Sequence, residues 1–263
     1  MSATGRAQVL KRPGWLGVIG GMGPLATADF LAKLALATPA ACDQAHIPVL
    51  MVGDCATPDR TAALAGEGPS PLPRLLAAVD FLAAEGVELI AMPCNSAHAW
   101  YGELAERSAR PVLNIIDACV ERIRCRQRSA RRIGVLSTEG TACQGIYSRR
   151  LAAQGFEAIV PTAAEFARWV TPGIARVKAN APGEAQALLQ ASADALFARG
   201  AEVVILGCTE IPVALQDTTR ALPDRYVDST AALVAAVLSR LRAPVRSQVP
   251  PEAETSTTAR GPG

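Results

Sequence analysis

The sequence predicts an α/β fold made of two similar halves, each with a parallel sheet covered by helices. Three observations carry this. Short apolar runs alternate with segments of helical spacing along most of the 263 residues, as expected where strands are joined by crossover helices. A stretch ending in cysteine occurs twice without a gap, as GVELIAMPCNS at Gly86 to Ser96 and GAEVVILGCTE at Gly200 to Glu210. The two thiols, Cys94 and Cys208, stand about half the globular length apart, which is the spacing of duplicated halves.

Taken in order, WLGVIG at Trp15 to Gly20 is a first strand bounded by glycines, and Pro24 sits where a helix can begin, since its missing N–H needs no partner there. A helix over Leu25 to Thr38 and a strand over Ile47 to Gly53 follow. Asp54 to Pro73 is rich in Pro and Gly and reads as a long loop carrying PDRTA at Pro58 to Ala62; loops of that length in compact domains tend to be functional or disordered. Leu75 to Gly86 has helical spacing and a glycine stop. The first cysteine strand comes next, then a strand over Pro111 to Ile116 and a helix over Asp117 to Cys125. Further strands are expected at Arg132 to Leu136, Glu157 to Val160, Glu202 to Leu206 and Arg225 to Val227. Helices are expected at Gly140 to Gln154, Gly183 to Arg199 and Ser229 to Arg242.

The repeat extends further. LGVIGGMG at Leu16 to Gly23 is similar to IGVLSTEG at Ile133 to Gly140, and Ile116-Asp117-Ala118 to Val227-Asp228-Ser229. The halves are therefore set at about 14–116 and 117–242. Each places a cysteine at the C-terminal end of a strand, where ligands bind in such sheets. The remainder, 243–263, is rich in Pro, Ser, Thr and Gly and reads as a disordered tail.

Composition narrows the function. Hydrophobic residues make up 50% and charged residues 19%, enough for a full core, and the net charge is only +2. Basic residues are scattered apart from the run Arg122 to Arg132, which reads as a solvated helix end, so neither nucleic acid nor a membrane is an expected partner. The first residues carry no apolar leader, and no run reaches the roughly 18 apolar residues of a span, so a cytoplasmic protein is expected. Seven cysteines show no paired spacing, and free thiols are expected.

Gly21 to Ala26 fits GxGxxA after a strand, but no acidic residue follows at the distance a dinucleotide site requires; a tight turn offering N–H groups to a carboxylate fits better. Cys94 and His98, four apart, could form a metal pair or a thiolate–imidazole couple, yet only two histidines exist, and His98 reads instead as a supporting residue. Cys42, Cys55, Cys119, Cys125 and Cys143 lack strand-end placement and read as small apolar residues. Cys94 and Cys208 each precede polar residues at a strand-to-helix junction, where N–H groups and the helix dipole are expected to lower a thiol's pKa. Two such thiols facing across a cleft suit inversion of a carbon centre. One thiolate removes the Cα proton, and the opposite thiol returns a proton to the other face of the planar carbanion. No cofactor is needed for that step.

GGMGPLAT at Gly20 to Thr27, PDRT at Pro58 to Thr61, MPCNSAH at Met92 to His98 and GCTE at Gly207 to Glu210, in this order, resemble the aspartate/glutamate racemase family, most closely its aspartate branch. The resemblance covers about Gly17 to Arg242. It implies two pseudo-symmetric Rossmann-like domains with parallel sheets and an active site in the cleft between them, a homodimer, no cofactor and no metal. Cys94 and Cys208 would be the acid/base pair acting on an acidic amino acid. Met22, Asp59, Arg60, Asn95, Ser96, Thr138, Lys178 and Thr209 match positions that hold substrate. The sequence departs from the usual pattern at Ser96, where Thr is commoner, and at Glu139, whose carboxylate could disfavour an acidic side chain. Arg60 can grip a carboxylate bidentately and Lys178 can supply a point charge to a second; Asp59 either orients Arg60 or meets the α-ammonium. A glutamate or other amino-acid racemase, a related isomerase or decarboxylase, and a silent amino-acid-binding protein are the alternative readings. Retention of both thiols argues against the last, since binding alone needs neither.

Overall fold

The computed structural model describes residues 14–241; the expected tail lies outside them. The first sheet has β1 (Leu16–Gly20) at its centre, flanked by β2 (Val49–Gly53) and β3 (Leu89–Ala91), all parallel in the order β2-β1-β3. The second has β4 (Arg132–Leu136), β5 (Glu157–Ile159), β6 (Val203–Leu206) and β7 (Tyr226–Asp228), again parallel, in the order β5-β4-β6-β7. The repeat in the sequence is thus a repeat of topology. β1 and β4 hold equivalent central places, and β3 and β6 lie on the same side of them. A lone parallel bridge between Ile90 and Val112 sits where β7 sits in the second sheet.

Helices form where caps are available. α1 (Pro24–Ala37) opens on Pro24, as expected. The stretch read as a loop contains α2 (Arg60–Ala65). Asp59 accepts the Ala62 N–H at its start, and Gly66 closes it with φ 77°. α3 (Leu72–Ala84) leads to β3, and a 3-10 turn at Ser96–Trp100 leads to α4 (Tyr101–Arg107). The strand expected over Pro111 to Ile116 is reduced to the bridge at Val112. Asn114 caps the next helix instead, accepting from the Ile116 and Asp117 N–H groups, and α5 (Ile115–Arg126) begins there. Ile116-Asp117 is therefore helical, whereas Val227-Asp228 ends a strand, so the two copies are offset at this point.

In the second half the helix expected over Gly140 to Gln154 breaks into α6 (Glu139–Cys143) and α7 (Ile146–Ala152) at Gly145, whose φ is 59°. α8 (Ala163–Glu165), held by a Thr162–Glu165 capping box, continues through a π-helical turn at Phe166–Val170 into α9 (Thr171–Lys178). α10 (Pro182–Ala198), α11 (Glu210–Ala214), α12 (Gln216–Ala221) and α13 (Ser229–Leu241) complete the chain. α13 packs on β7 of its own sheet and also reaches across to the first. It packs on α5, α1 and β3, so Leu233, Val234 and Val237 share one core cluster with Leu16, Phe30 and Ala91. Lys33 of α1 ties the same junction, pairing with Asp29 at 2.6 Å and with Asp228 at 2.7 Å.

Among the described residues no helix is long and apolar enough to cross a membrane. All seven cysteines are free. Contrary to the apolar reading, Cys42, Cys55, Cys125 and Cys143 are exposed, and only Cys119 of that group lies in the core.

Candidate active site

Each cysteine leaves its sheet at the same place. Cys94 follows β3 through Met92-Pro93, and Cys208 follows β6 through Gly207. Gly207 is required, because a Cβ there would stand 2.9 Å from the ring of Tyr147. Gly21, with φ +87°, is required too: a Cβ would meet the Asp54 backbone at 2.6 Å. That close turn sets Met22, buried, against the cavity.

Cys94 and Cys208 line one cavity, and so do all eight residues expected to surround a substrate: Met22, Asp59, Arg60, Asn95, Ser96, Thr138, Lys178 and Thr209. Thr61 and Glu210 join them unexpectedly. Glu139 does not, and is exposed on the first turn of α6, so the conflict expected from its carboxylate has no basis in this arrangement. The inner cavity is small, about 10 Å³, which is room for a single water. Outside it lies a vestibule of about 420 Å³ that shares Asp59, Arg60, Lys178 and Glu210. An amino acid therefore reaches the thiols only when the cleft widens.

The thiols depart from expectation. Burial raises the pKa of both, more strongly than the junction lowers it. The helical segments that follow are only five residues long each, so their dipoles are weak against the desolvation of an enclosed sulfur. Their neighbours differ in kind. For Cys94, burial is opposed by the Arg60 charge and by the Ala97 N–H, with Glu210 adding to it, and the net direction is upward. For Cys208, burial is reinforced by Glu210, whose Oε2 accepts the Sγ–H at 3.0 Å, with Lys178 opposing from further away. Both directions favour the thiol form; Cys94 has a cation among its neighbours, and Cys208 has a carboxylate in direct contact.

Hydroxyl and amide groups stitch the two halves together around the sulfurs. The Asn95 amide donates to Ser229 Oγ at 3.1 Å and accepts from the Tyr147 hydroxyl at 2.6 Å. Ser96, Thr138 and Thr141 form a ring of hydroxyls at 2.9 to 3.3 Å, in which Thr138 also caps α6. Here a serine suffices, since the contact uses only the hydroxyl. Thr209 Oγ1 donates to the Pro93 carbonyl at 3.3 Å. Tyr147, Thr141 and Ser229 were not marked by the sequence, because the partners lie far apart along the chain.

His98 supports the first cysteine from behind. The Ile115 N–H donates to its Nε2 at 3.1 Å, which leaves the proton on Nδ1 to be donated to the Cys94 carbonyl at 2.8 Å. The imidazole faces a backbone carbonyl and not the thiol, so there is no thiolate–imidazole couple. Burial holds its pKa below the ordinary 6.5 despite the carbonyls of Cys94 and Leu113. A depressed value means that the unfolded chain binds the proton first, so this contribution to stability is complete above about pH 6.5 and is lost as pH falls. His98→Asn should be less stable at pH 7.5 by about 2 kcal/mol, with the gap to wild type narrowing towards pH 5. Urea unfolding at both pH values measures it, and an unchanged gap would contradict the neutral imidazole.

Arg60 and Lys178 are partly engaged already. Arg60 Nη1 donates to the Thr57 and Pro58 carbonyls at 3.2 and 2.9 Å, while its Nε is buried without a partner. Lys178 lies 3.7 Å from Asp59 across the mouth of the cleft. For Asp59, burial is outweighed by the Ala62 N–H, Lys178 and Arg60, and its pKa falls below the ordinary value. Its carboxylate thus caps α2 and pairs with Lys178, rather than orienting Arg60 through a hydrogen bond.

The sequence profile of the Asp/Glu/Hydantoin racemase family matches residues 19–237. The aspartate racemase of Picrophilus torridus superposes with a TM-score of 0.77 at 28% identity, covering 87% of this chain and 94% of its own. The broad specificity amino-acid racemase RacX of Bacillus subtilis is 28% identical over 231 residues, 85% of this chain and 96% of the relative. Glutamate racemase from Campylobacter jejuni shares the fold, with a TM-score of 0.59 at 20% identity, over 86% of this chain and 85% of its own. With two parallel α/β sheets and a cleft lined from both, the chain belongs to the Asp/Glu/Hydantoin racemase family.

Proposed function

We propose that this amino-acid racemase interconverts L- and D-aspartate without a cofactor, using Cys94 and Cys208 as its two acid/base groups. One observation carries the reading: thiols at the ends of the equivalent strands β3 and β6 line the same cavity as Arg60 and Lys178. The halves 14–116 and 117–242 then supply one thiol each. A thiolate takes the Cα proton, forming an S–H bond as the C–H bond breaks. The electron pair left on Cα spreads into the α-carboxylate, and the opposite thiol gives its proton to the other face. The enzyme is left with thiol and thiolate exchanged, ready for the reverse reaction. Arg60 grips one carboxylate and Lys178, released from Asp59, meets the second. Met22, Asn95, Ser96, Thr138 and Thr209 enclose the reacting centre. The enzyme works as a homodimer, in keeping with exposed Leu36, Met51 and Phe81 on and beside the edge of the first sheet; a monomer in sedimentation at micromolar concentration would argue against that.

Incubation with aspartate, glutamate, alanine and serine in D2O tests the chemistry. The inverted product should carry deuterium at Cα while the starting enantiomer, sampled early, keeps its hydrogen, and aspartate should turn over fastest. Dialysis against EDTA or a carbonyl-trapping reagent should leave the rate unchanged. Faster turnover of alanine or serine would move the assignment to a neutral amino acid. That second reading has support of its own, because Arg60 and Lys178 are balanced in the cavity by Asp59 and Glu210, and the B. subtilis relative is named for broad specificity.

A further inference from the structure

Glu210 is the unexpected residue of the site. It opens α11 with only 4% of its surface exposed. One oxygen, Oε2, takes the Cys208 Sγ–H. The other, Oε1, is buried without any hydrogen-bond partner. It rests beside Gly23, where a Cβ would stand 3.2 Å away, and Gly23 and Glu210 both line the vestibule. Among the described residues Glu210 forms no ion pair, whereas Asp59, the other carboxylate of the cavity, caps α2 through the Ala62 N–H and keeps that partner when Lys178 turns from it to a substrate carboxylate. A buried carboxylate with no direct ion pair is costly to keep in a fold, and Glu210 lines both the inner cavity and the vestibule through which a substrate must pass.

We propose that Glu210 binds the α-ammonium group of the substrate and so selects free α-amino acids over hydantoins and other compounds whose nitrogen carries no charge. The inference rests on the amino-acid reading above and adds the group that recognises the amine. The ammonium is attached directly to Cα, so seating it on Glu210 beside Cys208 brings Cα towards that sulfur. Arg60 and Lys178 remain for the carboxylates, and each charge of an acidic amino acid then has an opposite one. The bound cation also offsets the negative charge that holds Cys208 protonated, so this thiol ionises more readily with substrate present than without it.

Calorimetric titration of the full chain with DL-aspartate and with succinate, which differ only in the amino group, tests this. The racemic ligand keeps turnover from altering the titration. Wild type should bind aspartate about tenfold more tightly than succinate, or better. Glu210→Gln should bring the two within about twofold by weakening aspartate alone; Glu210→Asp, which keeps the charge, should retain part of the preference. Circular dichroism checks that each variant is folded. Equal binding of aspartate and succinate by wild type overturns the proposal, and so does a preference unchanged in Glu210→Gln. If wild type binds neither but prefers alanine to propionate, aspartate is the wrong substrate, and the alanine–propionate ratio in the same variants decides the role of Glu210.

Discussion

Alanine in place of either Cys94 or Cys208 is expected to slow racemisation by about 10²- to 10⁴-fold, the range lost with a general acid or base. Both sulfurs are needed in each direction, one to take the proton and one to give it, so neither single variant should be spared. Each side chain is 95% buried or thereabouts, with 5% exposure in both cases, and losing one sulfur leaves a void costing about 1 kcal/mol. The fold should therefore survive, which thermal melting checks. The two variants should still differ in what they retain. With Cys208→Ala, the Cys94 thiolate beside Arg60 can still exchange the Cα hydrogen of one enantiomer with solvent, returning it to the same face. NMR in D2O reads that exchange separately from inversion. A single variant that inverts aspartate at near the wild-type rate would end the two-thiol scheme.

Arg60→Ala should cost aspartate turnover about ten- to a hundredfold in kcat/KM, corresponding to a charge-assisted hydrogen bond of about 1.5 to 3 kcal/mol. Two effects combine in that loss. The substrate loses its bidentate partner, and Cys94 loses the cation that counters its burial. The second effect has a sign that can be checked. Without Arg60 the thiol's pKa rises further, so the acid limb of the pH–rate profile should move to higher pH. Arg60→Lys keeps a charge but not the planar fork, and should fall between the two. Alanine, with one carboxylate fewer to hold, should lose less than aspartate. Unchanged aspartate turnover in Arg60→Ala would refute the acidic-substrate assignment.

Much of this site was legible because its residues are local to two repeated motifs. The strand before each cysteine is a continuous apolar run, and the motif residues Asn95, Ser96 and Thr209 are carried to the cavity by the same turns that carry the thiols. Lys178, in the loosest of the matched stretches, arrives through a π-helical turn and α9, where no strand or loop pattern marks it. What stayed hidden depends on contacts across the chain. Tyr147 reaches Asn95 from α7, Ser229 reaches it from α13, and nothing near either residue in sequence signals the meeting. Glu210 stood in plain view within GCTE, yet only the buried, unpaired Oε1 distinguishes it from an ordinary first-turn glutamate. The thiol pKa was misjudged for a related reason: the dipole of a helix start can be read from a sequence, whereas the desolvation that overrides it belongs to the closed cleft. On the fold side, α2 was missed although Asp59 and Gly66 mark both of its ends, because the surrounding Pro and Gly residues suggested a loop. The strand at Pro111 to Ile116 failed because Asn114 finds two N–H groups to cap.

The packing of α13 across both sheets bears on the order in which the protein can be made. A chain emerging from the ribosome at about 5 to 20 residues per second delivers β1, α1 and β3 early, but the helix whose Leu233, Val234 and Val237 complete their core is the last element described. Until it arrives, apolar surface on the first half stays open to water and to other nascent chains. The core shared by the two sheets is thus completed only when α13 has been made, well after the strands it covers.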